Sequence, residues 1–216
     1  SGQPTGLRYS TIHPNVATDN AIVRFNGADG TPVPGQTSLL VITDDGSIQS
    51  SPTGGNARGS MATDLQVSRG VATQVASGAN SVIAGGANNS ATAQNSAVIA
   101  GDTNVASGSS SFVGGGTTNA ASATQASVGA GSNNTASGAR AFVGGGILNT
   151  ASNTDAGVAC GNTNTASGSK AFVGGGDGNN ASGISAAILA GQNNAASEDY
   201  SAVPGGRKGK AELPGA

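Results

Sequence analysis

From Ala76 onward, small, branched and polar residues recur at fixed phases of a fifteen-residue pattern. Alanine stands at 76, 91, 106, 121, 136, 151, 166, 181 and 196, Ala211 opens a tenth unit, and no insertion breaks the register. Counting that alanine as position 1, position 8 is Ile83, Val98, Val113, Val128, Val143, Val158, Val173, Ile188 and Val203, a β-branched residue each time. Position 6 holds only Ser or Ala, and position 10 only Gly, Ala or Cys. Alternation with a β-branched centre predicts a short strand whose inner face carries one aliphatic side chain between two small ones.

Two further columns punctuate the strand. Position 11 is glycine in all complete units: Gly86, Gly101, Gly116, Gly131, Gly146, Gly161, Gly176, Gly191 and Gly206. Glycine held at one phase predicts a turn backbone at positive φ, which a Cβ would obstruct. Position 14 is Asn89, Asn104, Asn119, Asn134, Asn149, Asn164, Asn179 and Asn194, with Gly209 as the exception. An asparagine stacked at successive corners can bond its amide to the backbone of neighbouring rungs. Strand, glycine turn, asparagine corner and a small second strand around the "ASG" segment predict an all-β chain folded as a parallel β-solenoid. At ~4.8 Å per rung, nine rungs make a rod of about 43 Å.

A finer alternation runs over thirty residues. Phe112, Phe142 and Phe172 occupy position 7 of units whose position 10 is glycine, and the units between them carry Ala or Cys there. A coil with one valine and a few alanines has little to bury. Three rolls side by side would bury a further face each, so a homotrimer is expected, with a thirty-residue monomeric coil as the alternative.

Residues 1–70 lack the period and read as an irregular β connector, with the roll over 71–216 and its complete units over 76–210. Short strands are predicted around Ile22–Phe25, Leu39–Thr43 and Ser47–Gln49, separated by Asn26-Gly27, Asp29-Gly30 and Asp45-Gly46 turns. Strands this short are expected to intertwine with sister chains or dock on a preceding domain. Residues 51–70, with "SPTGGNARGS", read as a linker into the repeat.

Composition narrows the function classes. Of 216 residues, 3% are aromatic and 9% charged, with 37 glycines and 7 prolines, too few large side chains to fill a compact core. A net charge of −2 gives no field to recruit nucleic acid. No apolar run approaches the ~20 residues that span a bilayer, so no membrane insertion is expected. Cys160 is the sole cysteine, which excludes an intrachain disulfide, and its place among Gly and Ala predicts a small buried thiol.

Candidate chemistry is sparse, and no enzyme activity or cofactor is expected. The triple glycine 174–176 lacks the Lys-Ser/Thr and following helix of a phosphate cradle. Asp177 does not recur down its column, which argues against a calcium-binding solenoid. His13 is the sole histidine, and nothing near it marks a nucleophile. Arg140, Lys170 and Tyr200 at position 5 are candidate surface contacts for a glycan or protein, weighed against plain solvated decoration. A polysaccharide-cleaving groove would need paired carboxylates, whereas Asp and Glu are scattered singly. An ice-binding face would need a regular threonine ladder, and position 15 reads Ser, Val, Ala, Thr, Thr, Thr, Asn, Ala, Lys.

The words "ASGANSVIAGGANNSA", "ASGARAFVGGG" and "YSAVPGGRKGKA" resemble the Ala-Ser-Gly and Val-Pro-Gly-Gly repeats of bacteriophage tail fibre and tail spike proteins, themselves similar to the left-handed β-roll heads of trimeric autotransporter adhesins. "TDNAIVRFNGADGTPV" followed by "VITDDGSIQ" is similar to the segment preceding such repeats in phage fibres. The resemblance implies a left-handed roll in a homotrimeric virion appendage that works with other tail proteins and meets a host-surface glycan or protein. The runner-up is the head of a bacterial adhesin or another extracellular or cell-surface fibre, with an ice-binding solenoid as a remote third. The sequence ends at "AELPGA" where the family places a tip domain, giving a shaft or connector role weight over direct receptor binding.

Overall fold

The computed structural model describes residues 21–23, 39–42, 48–51 and 56–211. Within the repeat, each fifteen-residue unit closes one coil. Positions 7 and 8 pair in parallel with the same positions of the next unit, as in Phe112↔Ser127↔Phe142 and Val113↔Val128↔Val143. Positions 15 and 1 form a second parallel ladder, as in Thr135↔Thr150 and Ala136↔Ala151. Position 12 adds a line of single bridges, Thr117↔Ser132↔Ile147 among them. Every one of these partners lies fifteen residues away, which excludes the thirty-residue coil.

Strands begin in the N-terminal part with β1 (Ala21–Val23), β2 (Leu39–Ile42), β3 (Ile48–Ser51) and β4 (Thr63–Asp64). Two strands per coil follow, from β5 (Val82–Ile83) and β6 (Ser90–Ala91) to β21 (Ala202–Val203) and β22 (Lys210–Ala211). They make one sheet of 13 strands and one of 9. The coil strands are two residues long because the backbone turns left-handed three times per coil. Position 11 does so at glycine, with φ from +83° to +108°. Positions 5 and 13 do so mostly at residues with side chains, such as Arg140 (φ 58°), Tyr200 (φ 59°), Asn133 (φ 56°) and Leu148 (φ 57°).

The core is a stack of thin layers. The position-8 column from Ile83 to Ile188 is fully buried and Val203 is 6% exposed. The position-1 alanines from Ala76 to Ala196 are fully buried too, and the small residues of position 6 fill the space between the two columns. The expected partner of position 6 on the other side of the valine is corrected. Position 10 points outward, and Ala100, Ala130, Cys160 and Ala190 are exposed. Alternation lasts only while the backbone is extended. Here it stops at position 8, after which the chain swings toward the left-handed glycine of position 11.

The N-terminal strands join the roll through its first sheet. β1 pairs antiparallel with β2, β2 antiparallel with β3, and β3 parallel with β4, which pairs with β5. They extend the roll's own first sheet, supplying partners to the backbone groups that the first coil would leave open. Residues 56–70, part of the stretch read as a linker, wrap into a coil on the first repeat: Asn56 N–H donates to Ala72 O, Gly59 N–H to Ala76 O and Thr63 N–H to Ser81 O. The register step there runs from Thr63 to Val82, longer than in the repeat. The three predicted Asx-Gly turns and His13 lie outside the described residues.

Candidate functional site

The most ordered polar feature is the asparagine column. It sits just inside the position-13 corner, where the left-handed residue turns the next side chain inward, and every member is at least 99% buried. Asn104 is typical. Its Nδ2 donates to Ala100 O of its own coil at 3.2 Å, to Gly116 O of the next at 2.9 Å and to Asn89 Oδ1 of the previous at 3.2 Å. Its Oδ1 accepts from Asn119 N at 3.0 Å and Asn119 Nδ2 at 3.1 Å. One amide thus ties three coils and satisfies the carbonyls that the glycine corner strands. The position-11 glycines match it: a Cβ on Gly101 would lie 2.6 Å from Asn104 Nδ2 and press into the Gly116 carbonyl.

The column is bonded at both of its described ends. At the first coil Gln66 takes the asparagine's part with one more methylene: its Oε1 accepts from Asn89 N at 2.8 Å, and its Nε2 donates to Asn89 O at 3.1 Å and Gln74 O at 2.7 Å. At the last described coil Gly209 N donates to Asn194 Oδ1 at 2.7 Å, so the backbone bond of the column continues at the exception.

Beneath the first coil lies an ionic cluster. Asp64 pairs in register with Ile83, so a carboxylate begins the line that valines continue. It is fully buried between Arg58 Nε at 3.0 Å and Arg69 Nη2 at 2.8 Å, and it also accepts from Ala76 N at 3.3 Å. Burial, followed by the charge of Arg69, pulls the Arg58 pKa below its ordinary value. A buried carboxylate between two guanidiniums, in register with Ile83, is an end plug for the apolar column.

The candidate contacts at position 5 lie on one exposed edge. Arg140 and Asp155, one coil apart, form a two-pronged pair with Nε–Oδ1 at 2.6 Å and Nη2–Oδ2 at 2.9 Å. The hydrogen bond from Arg140 holds the Asp155 carboxyl below its usual range, helped by the charges of Arg140 and Lys170, and the same bond raises Arg140. Lys170 follows on the next coil, while Tyr200, 79% exposed, stands two coils further on. The structure aligns the three candidates along one edge and brings no two of them into contact. On the position-12 line Asp177 accepts from Gln192 Nε2 at 3.0 Å and Asn162 Nδ2 at 2.8 Å, and these bonds hold its carboxyl low.

Two further expectations are settled by position. Cys160, expected to be buried, is exposed, because position 10 faces out. Thr135, Thr150 and Thr165 stack in register over three coils, bounded by Ala120 and Asn180. Among the described residues there is no group of three or more metal-ligating side chains and no helix long and apolar enough to cross a membrane. Sequence reading missed the left-handed position 5 and the Arg58–Asp64–Arg69 cluster. The first left no reliable trace, since the equally left-handed position 13 carries Thr103, Thr118 and Thr163; the second occurs once and left none. No protein-family model matches the chain, and no curated protein matches its sequence.

Proposed function

We propose that the protein is a structural and adhesive segment of a phage tail fibre or spike, a stiff trimeric rod that holds host-binding surface away from the virion. The observation that carries this reading is the unbroken register of the roll: an inner aliphatic column, an alanine column and an asparagine column run through the same coils without a bulge or insertion. Bonds between every coil and the next make bending costly, which suits a spacer. The exposed Arg140, Lys170 and Tyr200 edge gives spaced polar and aromatic groups for weak multivalent contact with a surface glycan or protein.

Two measurements test the reading. Light scattering is expected to give three times the 20.3 kDa chain mass; a well-folded monomer at micromolar concentration would remove the trimer. Immunogold labelling with an antibody to the roll is expected on virion tail appendages. Label on the surface of uninfected cells would transfer the rod to the runner-up, the head of a bacterial adhesin.

A further inference from the structure

One strip of the roll carries no charge at all. Positions 7, 9 and 10, on the outer side of the first sheet, hold only aliphatic, aromatic, glycine and proline residues apart from Ser127 and Cys160, through all nine complete units. Every charged residue of residues 76–210 sits at another position. The larger side chains of the strip are exposed, Phe142 by 46%, Phe172 by 41%, Ile99 by 42% and Leu189 by 60%, while Gly115, Gly157 and Gly175 between them are buried. At ~4.8 Å per rung it runs about 43 Å, and at three residues wide it covers on the order of 500 Å², the upper range for an apolar patch on a monomer.

Bulk within the strip is distributed rung by rung. Where position 7 is Phe, positions 9 and 10 are both Gly; where position 7 is Ala, Ser or Gly, position 10 is Ala or Cys in four of the five rungs, and Ile99 or Leu189 stands at position 9 in two. The chain's own packing explains part of this. The Phe142 ring lies across Gly144, whose added Cβ would come 3.3 Å from Phe142 Cζ. It does not explain position 10. Gly115 and Gly145 lie outside the left-handed region, and a Cβ there would meet only Ala100 O at 3.7 Å and Ala130 O at 3.5 Å, an ordinary contact. At the third Phe rung the chain's own packing intervenes, since a Cβ on Gly175 would come 3.1 Å from Cys160 Sγ; Gly145, half-buried, is the rung whose unused room faces outward.

We propose that this strip is where a second copy of the chain packs, parallel and level, with position 7 of one copy against positions 9 and 10 of the other at the same height. A symmetry axis along the rod brings those positions together and seats each Phe over a Gly pair. An axis across the rod would set position 7 against position 7 and glycine against glycine, leaving gaps. The inference rests on the assembled-rod reading above, to which it adds the face and the register.

The test is an exchange of bulk, read by light scattering with circular dichroism to follow the coil. Gly145→Leu, which its own coil accepts, is expected to reduce the mass to the 20.3 kDa chain, and Phe142→Ala with Gly145→Leu to restore the assembly. Phe142→Asp is expected to dissociate it as well, and Ser152→Asp, on the other sheet, to leave it whole. Cys160 lies in the strip and reports independently: a bulky maleimide should leave it unlabelled in the native assembly and label it in Phe142→Asp. A monomeric native protein would overturn both the assembly and this face. An assembly that survives Phe142→Asp with Cys160 freely labelled would overturn the face alone.

Discussion

At position 14 a single amide makes bonds to three coils, and its replacement separates the roles of shape and hydrogen bonding. Asn134 accepts from Asn149 N at 3.0 Å and donates to Ala130 O at 3.1 Å and Gly146 O at 2.8 Å. Asn134→Ala leaves these groups buried and unpaired, and should cost about 2–4 kcal/mol in urea unfolding. Asn134→Asp turns acceptors on carbonyls that need donors, so the folded state favours its protonated form and raises its pKa. The stability of that variant should then be greatest below about pH 4, the unfolded value, and fall as pH rises. A pH-independent loss would contradict the donor role. Position 13 offers the opposite experiment. Leu148 holds φ at 57° with its side chain 53% exposed, so Leu148→Asn should gain about 1 kcal/mol by removing left-handed strain without losing a core contact. An unchanged or lower melting temperature would contradict it. At this scale the sequence was most legible where chemistry narrows the choice: glycine fits position 11 in all nine complete units and asparagine bridges position 14 in eight, and the repetition makes each visible. Position 5 accepts Arg, Asp, Lys, Ser, Tyr and others because its side chain leaves the coil, so its unusual backbone was hidden by variety.

Among elements, the strands themselves are nearly too short to name, and their definition comes from repetition. The inner valine column could be read because it recurs, whereas the extension of the same alternation to position 10 failed: pattern alone does not mark where extended backbone ends. The N-terminal coil was invisible for a related reason. Arg58, Asp64 and Arg69 occur once, and their meeting depends on Asp64 entering the line of Ile83, which no local pattern signals. The exposed Arg140–Asp155 pair joins two coils at their edge, where solvent screens it. Its signature is therefore titration. Because the folded carboxyl is depressed, whatever the pair contributes is present above the ordinary carboxylate range and lost as pH falls through the folded value. In an NMR titration the Asp155 midpoint should rise toward the ordinary value in Arg140→Gln, with little change in melting temperature. A midpoint that does not move would mean the pairing is not maintained in solution.

For the whole molecule, stability is a sum over coils and their nearest neighbours. Removing residues 121–135, one complete unit, should leave a cooperative fold about 4.8 Å shorter, since Ala136 then follows Ala120 in the phase that Ala121 held. Removing residues 121–134 shifts every later valine to another phase and should abolish the roll beyond the cut. Circular dichroism and scattering on the two deletions distinguish a stack of equivalent rungs from a fold with a privileged centre. The proposed packing of copies is matched within each rung, so the one-unit deletion should also preserve the native association.

The pairing of backbone groups on both sides of each coil also bears on survival outside a cell. A digestive protease must draw several residues of extended, unbonded chain into its cleft, and no coil offers such a length without first parting from two neighbours. Arg140 and Lys170 are open to solvent, yet their peptide N–H groups are bonded to Thr124 O and Thr154 O of the preceding coils. Trypsin should therefore spare both sites until the roll as a whole opens, and early cleavage at either would mean that single coils breathe on their own. Within the described coils, a rod of small residues and scant charge would owe its durability in a hostile medium to having each strand tied on both sides.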